Sequence, residues 1–399
     1  MVLTRSRAAF LGSRIILRQC SPESESVYDL ITTLYKHCDG DWAHLAKKAD
    51  VSNDELQYFL QYATQFLGNL GNYKGFGDVK FIPRCSPQTL QALASRTSDD
   101  AVKLLDGCKS AIYANEGQPA LMHFGFPDQG HMSSYYPDSP DITQQEIEQV
   151  GDFLGKKKLL PENTRIRKTQ EGNYEVLIAS ALSKPPPSGS DTGEATAWDL
   201  EGPFNGKKVS LVFGDHQEEM AKIALEIKKA GQHAANPTQK KMMDEYAHSF
   251  GTGSLKAFKE SQKLWVKDIG PEVECNIGFI ETYRDPAGIR GEWEGFAAMV
   301  NKERTQAFKK LVDAAPAMIP KLPWSSDFEK DTFTPPDFTS LEVLSFASSG
   351  ILLESIYPTV CNSFGALLSL CIPIPRVLRH LPRIFCSQDI KYDTVFLME

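Results

Sequence analysis

Between Val273 and Phe279 the apolar residues Val273, Cys275, Ile277 and Phe279 fall on every second position, with polar or small residues between them. That period of two predicts a half-buried strand, and the alternation carries on to Glu281 and Tyr283. Asp285-Pro286-Ala287-Gly288 follows with the chemistry of a tight turn, proline presetting φ and glycine accepting φ > 0. A strand returning over Ile289–Phe296 would bring Glu281 beside Glu292, with Glu294 on the same face and Trp293 on the other.

Elsewhere the pattern alternates between helices and strands in blocks. Ser52-x-x-Glu55 reads as a capping box, and Leu56, Phe59, Leu60, Ala63 and Leu67 behind it keep helical spacing. Thr143-x-x-Glu146 is a second box, followed by Ile147, Val150 and Leu154. Before it, His131–Pro137 opens a polar-aromatic loop with an exposed tyrosine pair, Tyr135 and Tyr136, that serves as a binding wall or as packing. Arg165–Thr169 and Tyr174–Ala181 flank Gly172-Asn173 as a hairpin, and Ser183–Glu194, with three consecutive prolines, reads as a surface loop. Lys208–Phe213 is a further strand, Met220, Ile223, Ala224 and Ile227 begin a run of helices, and Asn301–Ala315 is helical before a proline-punctuated stretch to Pro336. Blocks of this kind predict an α+β fold and not a repeating βαβ unit.

The chemistry concentrates on the hairpin, where three carboxylates and a tyrosine converge. Like charges opposite each other weaken a sheet, so the cluster is either a solvated hairpin end or a place that takes a cation. With 399 residues there is room for a large core. A net charge of -8 and a pI near 5.6 leave no basic surplus for nucleic acid or anionic membrane, and make a cationic peptide the better-matched partner. Eight scattered cysteines without a CxxC predict reduced thiols and a cytoplasmic protein. The four arginines and absent acids of Met1–Cys20 imitate a transit peptide. Ile356–Pro375 is uncharged and long enough to raise the question of a membrane span, but Pro358, Pro373 and Pro375 interrupt it. Gly68–Gly77 is glycine-rich without a nucleotide-binding pattern. No histidine is followed by a glutamate and a second histidine at helical spacing, and His216 with Glu218 or Glu219 is too sparse for zinc, so no metal site is predicted.

The hairpin sequence GPEVECNIGFIETYRDPAGIRGEWEGFAAMVNKERTQAF resembles the dipeptidyl peptidase III family, zinc exopeptidases that remove dipeptides from the amino ends of short peptides. So do LYKHCDGDW, FLGNLGNYKGFGDVKFIPR, HMSSYYPDSPDIT, LVFGDHQEEMAKIA and LPWSSDFEKDTFTPPDFTSLEVLSFA, and the resemblance covers about Ser6 to Ile351. It implies a two-lobed peptidase of which this chain keeps a mixed helical and β-barrel-like substrate-binding lobe, with the helical zinc-bearing lobe mostly absent. On that reading residues 1–301 form the lower lobe, 302–339 the start of the upper lobe and the return, 340–351 a return strand, and 352–399 a disordered tail foreign to the family, from a retained intron or shifted frame. Met1 reads as a late start. The family's single zinc ion is held by HExxxH and a later EExxxE; neither occurs, so no cofactor is expected in this chain, and catalysis by it alone is not. The matching residues imply that Glu281 and Glu294, with Gly278 and Glu292, bind the peptide's ammonium end. They imply that Tyr283 donates to the scissile carbonyl. The expected partners are short peptides with a free N-terminus, met by a monomer. A non-catalytic peptide-binding or regulatory protein and a gene-model artefact are the alternatives left open.

Overall fold

The computed structural model describes residues 2–75, 78–113, 119–184, 191, 196–329, 339–349, 354–357 and 366–371. The chain opens with helices α1 (Val2–Leu11), α2 (Ser13–Cys20), α3 (Ser24–Cys38), α4 (Trp42–Lys48), α5 (Asn53–Asn69), α6 (Pro87–Ser95) and α7 (Asp99–Tyr113). From α3 onward they close on a shared core of Val27, Leu34, Trp42, Phe59, Phe66 and Leu105. At α5 Ser52 accepts from the Glu55 backbone N–H as expected, but the Glu55 carboxylate does not return to Ser52. It accepts instead from Ser86 N at 2.7 Å and from the Thr89 hydroxyl. The expected box is therefore a one-sided cap, because Glu55 satisfies the start of α6 instead.

A second unit begins at α8 (Gln144–Lys156), where Thr143 and Glu146 make the full reciprocal box. Next come β1 (Thr164–Lys168), β2 (Tyr174–Ala179), β3 (Ala197–Asp199) and β4 (Lys208–Asp215). The β1–β2 hairpin turns at Gly172, φ +76°, and among the described residues these strands form a four-stranded sheet in the order β1-β2-β4-β3. Of the proline-rich loop, residues 185–190 and 192–195 lie outside the described residues.

Helices α9 (Gln217–Gly231), α10 (Pro237–Thr252) and α11 (Leu255–Lys267) then lead into β5 (Val273–Glu281) and β6 (Glu292–Val300). After the largely exposed α12 (Lys302–Met318) come β7 (Thr339–Ala347), β8 (Glu354–Tyr357) and β9 (Ala366–Cys371). The sheet order is β5-β6-β7-β9-β8. Among the described residues β5 and β8 each have one strand neighbour, so the sheet is open, and the barrel-like expectation is corrected to two open sheets. Closure would need β5 to pair again; side chains of α11 bond to it instead, Trp265 Nε1 donating to Glu274 at 2.9 Å and Gln262 accepting from Asn276 at 3.0 Å. These contacts bury both faces of β5, which the alternation had predicted to be half-buried. On β6, helix α1 approaches so closely that a Cβ at Gly295 would stand 3.0 Å from the Ala9 Cα, and one at Gly12 would enter the Trp293 ring. Only glycine permits that approach.

Residues 354–357 and 366–371 of the expected tail are strands, and the rest of 352–399 lies outside the described residues, with 330–338 and 76–77. No described helix is long and apolar enough to cross a membrane; of Ile356–Pro375, residues 358–365 and 372–375 lie outside the described residues.

Candidate functional site

The acidic cluster forms where the β5–β6 hairpin opens. Phe279 pairs with Trp293, but the next partner of Glu292 is Glu281, not Ile280. This bulge at Ile280 shifts the phase of β5 by one residue and sets Glu281 on the face that carries Glu292 and Glu294. Gly278 lies opposite Glu294, and a Cβ on it would meet the Phe258 ring at 2.4 Å. The hairpin thus brings Gly278, Glu281, Glu292 and Glu294 together. Tyr283 follows just past the strand end.

The connection is longer than a tight turn, running from Thr282 to Gly291, and Asp285 organises it. Its carbonyl accepts from Gly288 N at 2.8 Å, and its carboxylate accepts from the backbone of Ala287, Ile289 and Arg290 and from the Tyr136 hydroxyl at 2.6 Å. Tyr135 and Tyr136, expected as an exposed pair, are buried. Tyr136 is buried because its hydroxyl and that of Tyr135, which donates to the Gly291 carbonyl at 3.5 Å, tie the loop down.

Burial grades across the site. Glu292 is fully buried and Glu294 is 3% exposed, while Glu281 is half-buried and Tyr283 37% exposed. The cluster is therefore no wet hairpin end. Glu292 Oε1 stands 3.1 Å from Arg284 Nη1 as an ion pair without a hydrogen bond, and Oε2 accepts from the Ser349 hydroxyl at 2.7 Å. Arg284, equally buried, donates to the Ile16 carbonyl at 3.2 Å and the Asn69 carbonyl at 3.0 Å. Glu294 accepts from the Ser348 hydroxyl at a long 3.5 Å.

Desolvation controls the charges. Burial pushes the Glu294 carboxyl up to about 8, helped by Glu292 and Glu281 and opposed by Ser348. Burial also raises Glu292 against the pull of Arg284, and raises Glu281. Burial, with the three glutamates, lifts the Tyr283 phenol to about 12, so it remains a proton donor at neutral pH. A cluster of largely buried carboxylates edged by the half-buried Glu281 and the part-exposed Tyr283 phenol suits an ammonium group bonded to a carbonyl-bearing chain.

Arg284, Ser348 and Ser349 escaped the sequence reading, although three clustered acids call for a counter-ion and Arg284 is the basic residue next to Tyr283. His216 is buried against Asp215 at 3.5 Å, and burial lowers it to about 4. Glu218 and Glu219 are engaged by Lys222 and Arg18. Among the described residues no group of three or more His, Cys, Asp or Glu could hold a metal ion. The described residues thus do not fit the zinc that the resemblance implies.

Comparison with known proteins places the chain. Residues 104–359 match Peptidase family M49, extending past Ile351. The chain is 42% identical over 347 residues to "Dipeptidyl peptidase 3" of Dictyostelium discoideum, covering 87% of this chain and 48% of that protein. With "Dipeptidyl peptidase 3" of Homo sapiens it shares 37% identity over 358 residues, covering 87% and 47%. The chain spans about half the length of the curated relatives it matches. A structure of DPP III from Caldithrix abyssi aligns with a TM-score of 0.48 at 15% identity, over 90% of this chain and 58% of that one. On the family match and the identity to these relatives, the chain belongs to peptidase family M49, the dipeptidyl peptidase III family.

Proposed function

We propose that this chain is the peptide-binding part of a dipeptidyl peptidase and that alone it binds short peptides by their free amino ends without cleaving them. The observation that carries the reading is the water-poor cluster of Glu281, Glu292 and Glu294 beneath Tyr283. A carboxylate site so depleted of water gains by accepting a cation. Glu281, half-buried at the edge, and Glu294 behind it hold the ammonium, Gly278 lets the Phe258 ring pack against the strand opposite Glu294, and Tyr283 donates its hydroxyl to the carbonyl of the bond that a complete enzyme would cut. The protein acts as a cytoplasmic monomer; Cys20, Cys38, Cys85, Cys108 and Cys275 are free thiols, as a reducing compartment keeps them.

Each charge-assisted contact to the ammonium contributes roughly 1.5–3 kcal/mol, so acetylating the peptide weakens binding about tenfold or more. Calorimetric titration with a tetrapeptide and its N-acetylated twin tests this. The free peptide binds more tightly, and Glu281→Gln erases most of the difference. Equal affinity for the two peptides overturns the ammonium site. Release of dipeptides by the purified chain, lost on chelation, overturns the claim that it binds without cleaving.

A further inference from the structure

Resting on that reading, we infer that Glu292 is not a ligand of the peptide: with Arg284 and Ser349 it forms a buried positioning support that fixes the charge and placement of Glu294. Glu292 is ion-paired with Arg284 through Oε1 at 3.1 Å, accepts from the Ser349 hydroxyl through Oε2 at 2.7 Å, and its side chain is closed to solvent. Glu294 lies two residues along the same strand face with a single long bond to Ser348, so it is the acid left able to turn to a ligand. A guanidinium held by the Ile16 and Asn69 carbonyls is a fixed positive charge, and it favours the ionised form of Glu292 against the burial that raises its carboxyl.

Negative charge on Glu292 acts on its neighbour, adding to the burial that raises Glu294. Facing Glu292 are Arg284, Asp78 and Tyr135, and facing Glu294 are Glu292, Glu281 and Tyr283. Arg284 is the cation of this set. Like charge from Glu292 therefore holds a proton on Glu294 until an ammonium arrives to replace it, and peptide binding releases that proton.

Either partner changed alone strands a buried charge, so the working variant is Arg284→Met combined with Glu292→Gln, which removes both charges together. The Glu294 carboxyl is titrated by ¹³C NMR in the wild type and the double variant, its signal assigned by its loss in Glu294→Gln. The inference expects the Glu294 midpoint to fall by roughly one pH unit in the double variant. It also expects discrimination between free and acetylated tetrapeptide to suffer less there than in Glu294→Gln. A support that was merely structural would weaken binding and leave the midpoint in place, which overturns the inference. Discrimination lost as fully as in Glu294→Gln makes Glu292 a ligand and overturns it as well. If the wild type itself does not tell the two peptides apart, the peptide-binding reading fails, and the carboxyl midpoint alone decides the role of Glu292.

Discussion

At Glu294 a carboxyl is held out of water between two others, and this gives stability a pH dependence of definite sign. The folded chain keeps that proton to about pH 8, whereas an unperturbed glutamate gives it up near 4.5. Between those values the folded state binds more protons than the unfolded one, so this contribution is full below 4.5 and is lost as pH rises through 8. Glutamine mimics the protonated form at every pH. Thermal melts of wild type and Glu294→Gln should coincide below pH 4.5 and separate in favour of the variant by on the order of 2–4 kcal/mol at pH 9. A gap independent of pH would mean that Glu294 is already ionised in the fold.

Among the elements, those whose signals are local were legible. Thr143 and Glu146 announce α8 because both halves of the cap lie within one turn, and the site hairpin follows from period, turn and return. Thr143→Ala should cost about 1 kcal/mol in urea unfolding, since it removes a cap and the seat of Glu146, which also accepts from the Tyr174 hydroxyl. What was not legible depends on partners distant in the chain. Glu55 reaches Ser86 instead of its own N-cap, and Arg284 finds Ile16 and Asn69. The bulge at Ile280 leaves no mark on a period of two, yet it decides which face Glu281 occupies. An alternating strand suggested one wet face, but Trp265 and Gln262 cover it.

For the whole molecule, the cluster sits where separately built parts meet. The sheet hairpin supplies the acids, Ser348 and Ser349 come from the chain after β7, and Arg284 reaches back to α2 and the end of α5. Those last two hydrogen bonds span 268 and 215 residues of sequence. Closing loops of that length comes late on a folding pathway, after local helices and hairpins have formed, so the Arg284 contacts belong to the descent from the transition state. Arg284→Met should then leave the refolding rate nearly as it is and speed unfolding, roughly a hundredfold for about 3 kcal/mol lost, in stopped-flow denaturant jumps. An equal slowing of refolding would place these contacts in the nucleus. On this ordering the contacts of Arg284 to α2 and α5 are among the last things the chain makes and the first it gives up, so a cell's proteases would meet molecules whose hairpin has come away from those helices before they met unfolded ones.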